Sequence, residues 1–145
     1  MTQVTNALYD VLATTYGLYL KTQNYHWNIV GPEFYSLHVL LEKHYEEMAD
    51  AVDEIAERIR GLGETVDGSF SGFQKRSKVK EGKPSLGWKQ MVKDLLHGHE
   101  TVIKVGQPWI RKSQDLGDEV TGDLLIRRLS FHEKAAWMLS SQLKS

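Results

Sequence analysis

Apolar residues recur every three or four positions along most of the chain. Between Val4 and Ile29 they fall at Ala7, Leu8, Val11, Leu12, Leu18, Tyr19, Tyr25 and Ile29, the i, i+3, i+4 stepping of an amphipathic helix. Gly31-Pro32 ends this helix and opens a second, with Pro32 near its first turn and Glu33 favoured by the positive end of the new helix dipole. The second helix is predicted to run to about Arg60, where Gly61 and Gly63 supply stop signals. The period then fails. Residues 64–87 hold Gly68, Gly72, Gly82, Pro84 and Gly87, with a basic cluster at Lys75, Arg76, Lys78, Lys80 and Lys83. The stretch reads as a long connection with one short helix around Ser69 to Lys75. A third helix is predicted from about Trp88 to Lys112, with Met91, Val92, Leu95, Leu96, Val102, Ile103, Trp109 and Ile110 as its apolar side. Gly106 and Pro108 are expected to kink or interrupt it. The fourth helix starts after Gly117, capped by Asp118 or Thr121, and ends near Leu143.

There is no strand alternation, internal repeat or low-complexity segment. Four long helices with one long middle connection predict an all-α fold, a single domain over residues 1–145 built as a four-helix bundle of ferritin-like type. A chain of 145 residues is long enough to bury a real core. The net charge of −1 argues against a general appetite for nucleic acid or anionic membrane. No apolar run approaches the length that spans a bilayer, and the first residues lack the basic and apolar regions of a secretory signal. A cytoplasmic location is the expectation. The chain has no cysteine, which excludes disulfides, thiolate metal sites and thiol catalysis. Any metal must be held by His, Asp and Glu.

The second helix carries such residues at a telling spacing. His38 and Glu42 are i, i+4, as are Asp53 and Glu57, so each pair points one way. At about 100° per residue all four fall within an arc of roughly 100°. Lengthwise they do not meet, because the eleven residues from Glu42 to Asp53 rise about 16 Å. Ligand bonds near 2 Å do not bridge that gap around one ion. One chain therefore offers two half-sites, His-Glu and Asp-Glu, at opposite ends of one face. If the helix packs antiparallel on its own copy near Glu47, a two-fold axis joins the unlike halves and makes two identical sites. His26 lies across the tight turn from His38 and is able to join it. Imidazole with carboxylate suits iron, zinc or manganese, and the excess of carboxylate oxygen favours iron. The plain alternative is a core histidine and a solvated acidic face with Arg58 and Arg60 as its partners.

At these residues the sequence resembles the Dps family of ferritin-like cages. The segments "YHWN" (25–28), "GPEF" (31–34), "LH" (37–38), "DAVDEIAERI" (50–59) and "HEKAAWML" (132–139) carry the likeness, which covers nearly the whole chain. The resemblance implies a hollow twelve-subunit shell of tetrahedral symmetry. It implies a two-iron ferroxidase centre made of His26, His38 and Glu42 from one subunit and Asp53 and Glu57 from its mate. Glu42 departs from the aspartate often found there; the longer side chain keeps the charge and puts the second iron position in doubt. Trp27 matches a tryptophan beside the centre, where it intercepts oxidising equivalents; its other reading is core packing. The implied activity is oxidation of Fe(II), preferably by hydrogen peroxide, with ferric mineral deposited in the cavity and the cell protected from oxidative damage. The stretch "DEVTGDLL" (118–125) resembles a pore segment, which nominates Asp118 and Asp123 for iron entry; helix capping alone would also account for Asp118.

The remaining histidines are read as structural. His44, two residues past Glu42, is placed on the surface. His97 and His99 face different ways on one helix, and His132 packs or pairs inside the bundle. No Glu-x-x-His occurs, which argues against a di-iron site within one subunit. DNA binding is doubtful: the first twenty residues contain no Lys or Arg, and the C-terminal "QLKS" has one lysine. Two alternatives stand beside the enzyme. One is a nucleoid-protecting cage acting by DNA binding through the Lys75–Lys83 loop. The other is a cage whose site holds zinc and is inert.

Overall fold

The computed structural model describes residues 1–144. Helices α1 (Gln3–Asn28), α2 (Phe34–Gly61), α4 (Trp88–Asp115) and α5 (Glu119–Gln142) form the bundle, and the short α3 (Phe70–Arg76) lies in the connection between α2 and α4. The fold is all-α, as the periodicity predicts. Three helix starts are capped by side chains. Thr2 accepts from the Thr5 N–H at 3.1 Å, Ser69 from Gly72 at 3.1 Å and Asp118 from Thr121 at 3.0 Å. Of the two residues nominated to cap the last helix, Asp118 is the cap and Thr121 the donor that it satisfies.

The turn between α1 and α2 is longer than expected, taking in residues 29–33. Gly31 sits at φ +132°, a conformation open to glycine, and a Cβ there would lie 3.0 Å from Trp88. Trp88, the first residue of α4, therefore roofs this turn, and α2 starts at Phe34 rather than at Pro32.

Of the kink or interruption expected at Gly106 and Pro108, the interruption does not occur. The helix continues unbroken to Asp115, although proline cannot donate to the carbonyl one turn back. The reason is its neighbour. Gly106 is buried, and a Cβ there would approach Leu129 of α5 to 3.1 Å. The missing side chain lets α5 pack closely enough to hold α4 through the lost hydrogen bond.

The core has two apolar clusters. One gathers Leu18, Tyr25, Leu37, Leu41, Met48, Leu95, Val102 and Leu139. The other gathers Val4, Leu8, Val11, Leu12, Ile55, Ile59, Leu124 and Leu125. The long connection straps along α1. The Tyr9 hydroxyl donates to the Asp67 carbonyl at 2.6 Å, Thr14 Oγ1 accepts from Lys78 at 3.2 Å, and the Tyr25 oxygen accepts from Lys83 at 3.3 Å. Arg76 pairs with Asp10 at 3.0 Å. These contacts fix the strap along most of the helix that carries His26.

Candidate metal centre

His26 closes α1 and His38 opens α2, and the turn brings their rings face to face. The centroids are 3.8 Å apart and the planes 12° from parallel. Each ring binds the other residue's backbone. His26 Nδ1 lies 2.8 Å from the His38 carbonyl, and His38 Nδ1 lies 2.7 Å from the His26 carbonyl. A carbonyl only accepts, so both Nδ1 atoms carry a proton, and the nitrogen left to bind a metal on each ring is Nε2. That arrangement is the one a metal-ligating histidine needs, with its second nitrogen held by a carbonyl. His26 is buried and His38 half-buried. Phe34 stacks on His38 at 4.9 Å and Tyr45 meets the edge of His26 at 5.1 Å.

The acidic members follow along α2. Glu42 is half-buried; Asp53 and Glu57 are exposed. Their expected arginine partners are engaged elsewhere. Arg58 pairs with Asp118 at 2.8 Å, and Arg60 donates to the Glu64 carbonyl at 3.0 Å. Nearby acids are neutralised: Glu47 by Arg128 at 2.7 Å and Glu54 by Arg127 at 2.6 Å. Among the described residues no cation reaches Glu42, Asp53 or Glu57 within ion-pairing distance. Glu46 and Asp50 likewise have no cation partner among the described residues, so on α2 only Glu47 and Glu54 are paired. Within one chain, no three of the described His, Asp and Glu residues converge on a point where a metal would sit, and that includes His26, His38 and Glu42.

Trp27 is 63% exposed and so takes no part in the subunit's core packing. It borders an open cleft of about 620 Å³ with Tyr16, Leu20, Phe70 and Phe73. Asp118 is tied down, accepting from Thr121 and from Arg58, which together hold its carboxyl below the usual range against the opposing effect of burial. Asp123 is exposed and pairs with Arg127 at 3.1 Å.

The placement of His44 on the surface is overturned: its ring is buried. Two residues turn a helix by about 200°, so a position two beyond Glu42 lies opposite the ligand face. Since that face looks out, the opposite one looks into the core. There His44 meets His99 at 5.6 Å between centroids, and burial pushes its pKa down to about 4. His99 Nδ1 lies 2.8 Å from His132 Nδ1, inside the bundle, while His97 is exposed. Arg128 donates to His132 Nε2 at 3.3 Å, so the shared proton sits on His132 Nδ1 and His99 accepts it. Sequence reasoning also passed over Tyr45, one turn after Glu42 and in contact with His26. Its i+3 spacing from that glutamate was the available signal.

Comparison with known proteins places the chain in a family. The ferritin-like domain family matches residues 5–145. An uncharacterized low temperature-induced protein from Nostoc sp. is 41% identical over 140 residues, 95% of this chain and 78% of its own. The DNA protection during starvation protein of Porphyromonas gingivalis is 36% identical over 138 residues, 95% of this chain and 87% of its own. The Dps crystal structure from Vibrio cholerae O1, described as a member of a broad superfamily of ferritin-like diiron-carboxylate proteins, superposes with a TM-score of 0.93 at 34% identity, over 98% of this chain and 89% of that one. Dps from Staphylococcus aureus gives 0.94 at 33% identity, over 98% and 95%. The chain belongs to the ferritin-like proteins and, among them, to the Dps family.

Proposed function

We propose that this chain is the subunit of a dodecameric cage that takes Fe(II) as substrate, oxidises it with hydrogen peroxide and stores the ferric product as mineral inside. The observation that carries the reading is the reciprocal His26–His38 lock, which leaves Nε2 of each ring to bind a metal, beside carboxylates that no cation compensates. His26, His38 and Glu42 of one subunit would face Asp53 and Glu57 of its two-fold mate. The relatives described as diiron-carboxylate proteins support a pair of irons at such a centre. Each Fe(II) gives up one electron. Peroxide takes two, its O–O bond breaks, and two protons complete two waters. Consuming both reactants together keeps hydroxyl radical from forming.

In this reading the role of the chain's own residues is to hold and to shield. The imidazoles would bind through Nε2 while the carbonyl bonds at Nδ1 hold the rings in place. The glutamates and aspartate balance the charge of the metal. Trp27, next to His26 and open to the cleft, is the nearest indole for a stray oxidising equivalent. Asp118 and Asp123 keep the assignment to iron entry. DNA is protected by removing the oxidant rather than by tight binding: Lys75, Lys78, Lys80 and Lys83 are exposed, but Arg76 in their midst is engaged by Asp10. The expected location is cytoplasmic; among the described residues no helix is long and apolar enough to cross a membrane.

The test is Fe(II) oxidation by peroxide on the metal-free oligomer, beside a His38→Ala variant of the same native mass. The variant is expected to lose about tenfold to a hundredfold in rate, since disturbing a ligand's surroundings alone costs that much. Equal slow rates in both would remove the ferroxidase reading. Zinc competes for the same donors, so protein that binds zinc tightly but never oxidises iron would point to the inert cage.

A further inference from the structure

Five polar side chains of α2, α4 and α5 meet inside the bundle: His44 and Glu47, His99, and Arg128 and His132. The three histidines and Arg128 are buried, and Glu47 is half-buried. Arg128 joins the group together. Its Nη1 donates to Glu47 Oε2 at 2.7 Å, and its Nη2 donates to Glu47 Oε1 at 2.9 Å and to His132 Nε2 at 3.3 Å. On the other side of the His132 ring, Nδ1 donates to His99 Nδ1 at 2.8 Å. His44 lies one turn before Glu47 on α2 and meets His99 at 5.6 Å between ring centroids.

Stability does not account for this arrangement. A buried ion pair adds little over apolar side chains of the same volume. This one also leaves His44 Nδ1, His99 Nε2 and Arg128 Nε buried without partners among the described residues. The donor chemistry accounts for more. His132 is set as a metal-ligating histidine is, with Nδ1–H held by a neighbour and the Nε2 lone pair aimed at a cation. The Glu47 carboxylate faces the same cation. Imidazole and carboxylate from facing helices are the donors with which helix bundles hold metal in their cores. Here the cation is a guanidinium, which is charged at every working pH and donates without accepting. It takes up the His132 lone pair and both Glu47 oxygens, and with it in place no three of the described donors converge on a point.

We propose that Arg128 fills a latent divalent-metal site, made by Glu47, His132 and His44 in the bundle core, and so confines metal to the centre shared between subunits. The proposal rests on the ferroxidase reading, since it gives the reason that oxidation has one location. Histidine and carboxylate stand in both places, so ligand type alone does not choose between them. Charge and free lone pairs do. A divalent ion entering the core would meet a fixed positive charge in a medium that screens it poorly. It would also find the best donors already engaged. Glu42, Asp53 and Glu57 face no cation among the described residues. Loss of the guanidinium would release both Glu47 oxygens and His132 Nε2 at once, and would open the space that they surround.

The experiment uses the assembled cage in a His38→Ala background, which disables the shared centre, with Co(II) as the probe. Uptake is counted by equilibrium dialysis, and the ligand field is read from the visible spectrum. With Arg128 present, uptake should be small. Arg128→Ala, and Arg128→Ser as a second variant, should each add about one Co(II) per subunit, with the bands of an ion bound by nitrogen and oxygen. Removing His132 as well, in Arg128→Ala/His132→Ala, should abolish the gain. Where the emptied core weakens the cage, Co(II) should raise the thermal midpoint of Arg128→Ala and not that of the double variant. Neither extra uptake nor such a rise in either Arg128 variant, or a gain that survives the loss of His132, would overturn the proposal. The count does not depend on iron oxidation. A cage with His38 and Arg128 intact that oxidises no Fe(II) would bring down the ferroxidase reading and leave the cobalt result standing.

Discussion

Gly82 has no room for a methyl group. A Cβ there would lie 2.9 Å from the ring of Tyr25, whose hydroxyl accepts from Lys83 and donates to Asp94. The same aspartate pairs with the buried Lys21 at 3.0 Å. Burial and the Asp94 bond push the Tyr25 phenol up to about 12, so it stays a donor at any working pH. Replacing Gly82→Ala should shift ring or strap and cost about 1–3 kcal/mol, the usual range for overpacking. The check is the thermal midpoint by circular dichroism, which should fall by several degrees; an unchanged midpoint would mean that the strap gives way freely. This contact was not legible in the sequence. Tyr25 counts there only as one more apolar step, because its partner lies 57 residues further on, in a stretch with no period to place it. His44 is a different kind of miss. Its face was computable from the same turn angle that grouped the ligands, once the ligand face was taken to look outward.

Helices α4 and α5 meet through a buried pair of rings. The His99–His132 bond at 2.8 Å needs one proton between the two nitrogens, and Arg128, itself paired with Glu47, stands on the far side of His132. A second proton would set two N–H groups against each other next to a guanidinium. Burial, then His44 and Arg128, push His99 down to about 3, and burial, then His99 and Arg128, hold His132 well below its usual value. Both are therefore neutral when folded. The unfolded chain takes up their protons below about pH 6.5, so their stability is full above that pH and is lost as pH falls toward the folded value. His99→Gln keeps an acceptor for His132 but does not titrate. Between pH 6.5 and 4.5 its thermal midpoint should fall less steeply than the parent's, by roughly 3–5 °C per pH unit. Parallel slopes would show that the pair does not govern acid sensitivity. At this scale the sequence was most legible. The four long helices, the short α3 and the Asp118 cap follow from local spacing, because caps and stripes are local physics. The passage of α4 through Pro108 was not legible, because α5 supplies the support and only the folded chain brings it there.

For the whole molecule, the proposal of a two-fold-shared centre makes a quantitative prediction. Cages of His38→Ala subunits alone, or of Asp53→Ala subunits alone, should be inactive. Each mixed pair, however, would contain one centre with both defects and one with none. Random reassembly from equal parts should restore about one quarter of the parental rate per centre. No recovery in cages shown by native mass to be mixed would place the ligands within a single subunit. The shared face of the candidate ligands on α2 was legible because i, i+4 steps and an eleven-residue interval fix a face and a length. What brings the halves together was legible only as a requirement, since an isolated chain holds both halves but not their meeting.

The roughly 16 Å along α2 between Glu42 and Asp53 also sets when the chemistry starts. On the proposed reading, a lone chain leaving the ribosome carries every ligand and completes no centre. If the centre is shared as proposed, iron oxidation turns on with the square of subunit concentration at the dimer step, and only where a wall is being built to enclose the product. Latency before assembly would then need no inhibitor, no precursor segment and no second protein. It would follow from the pitch of one helix.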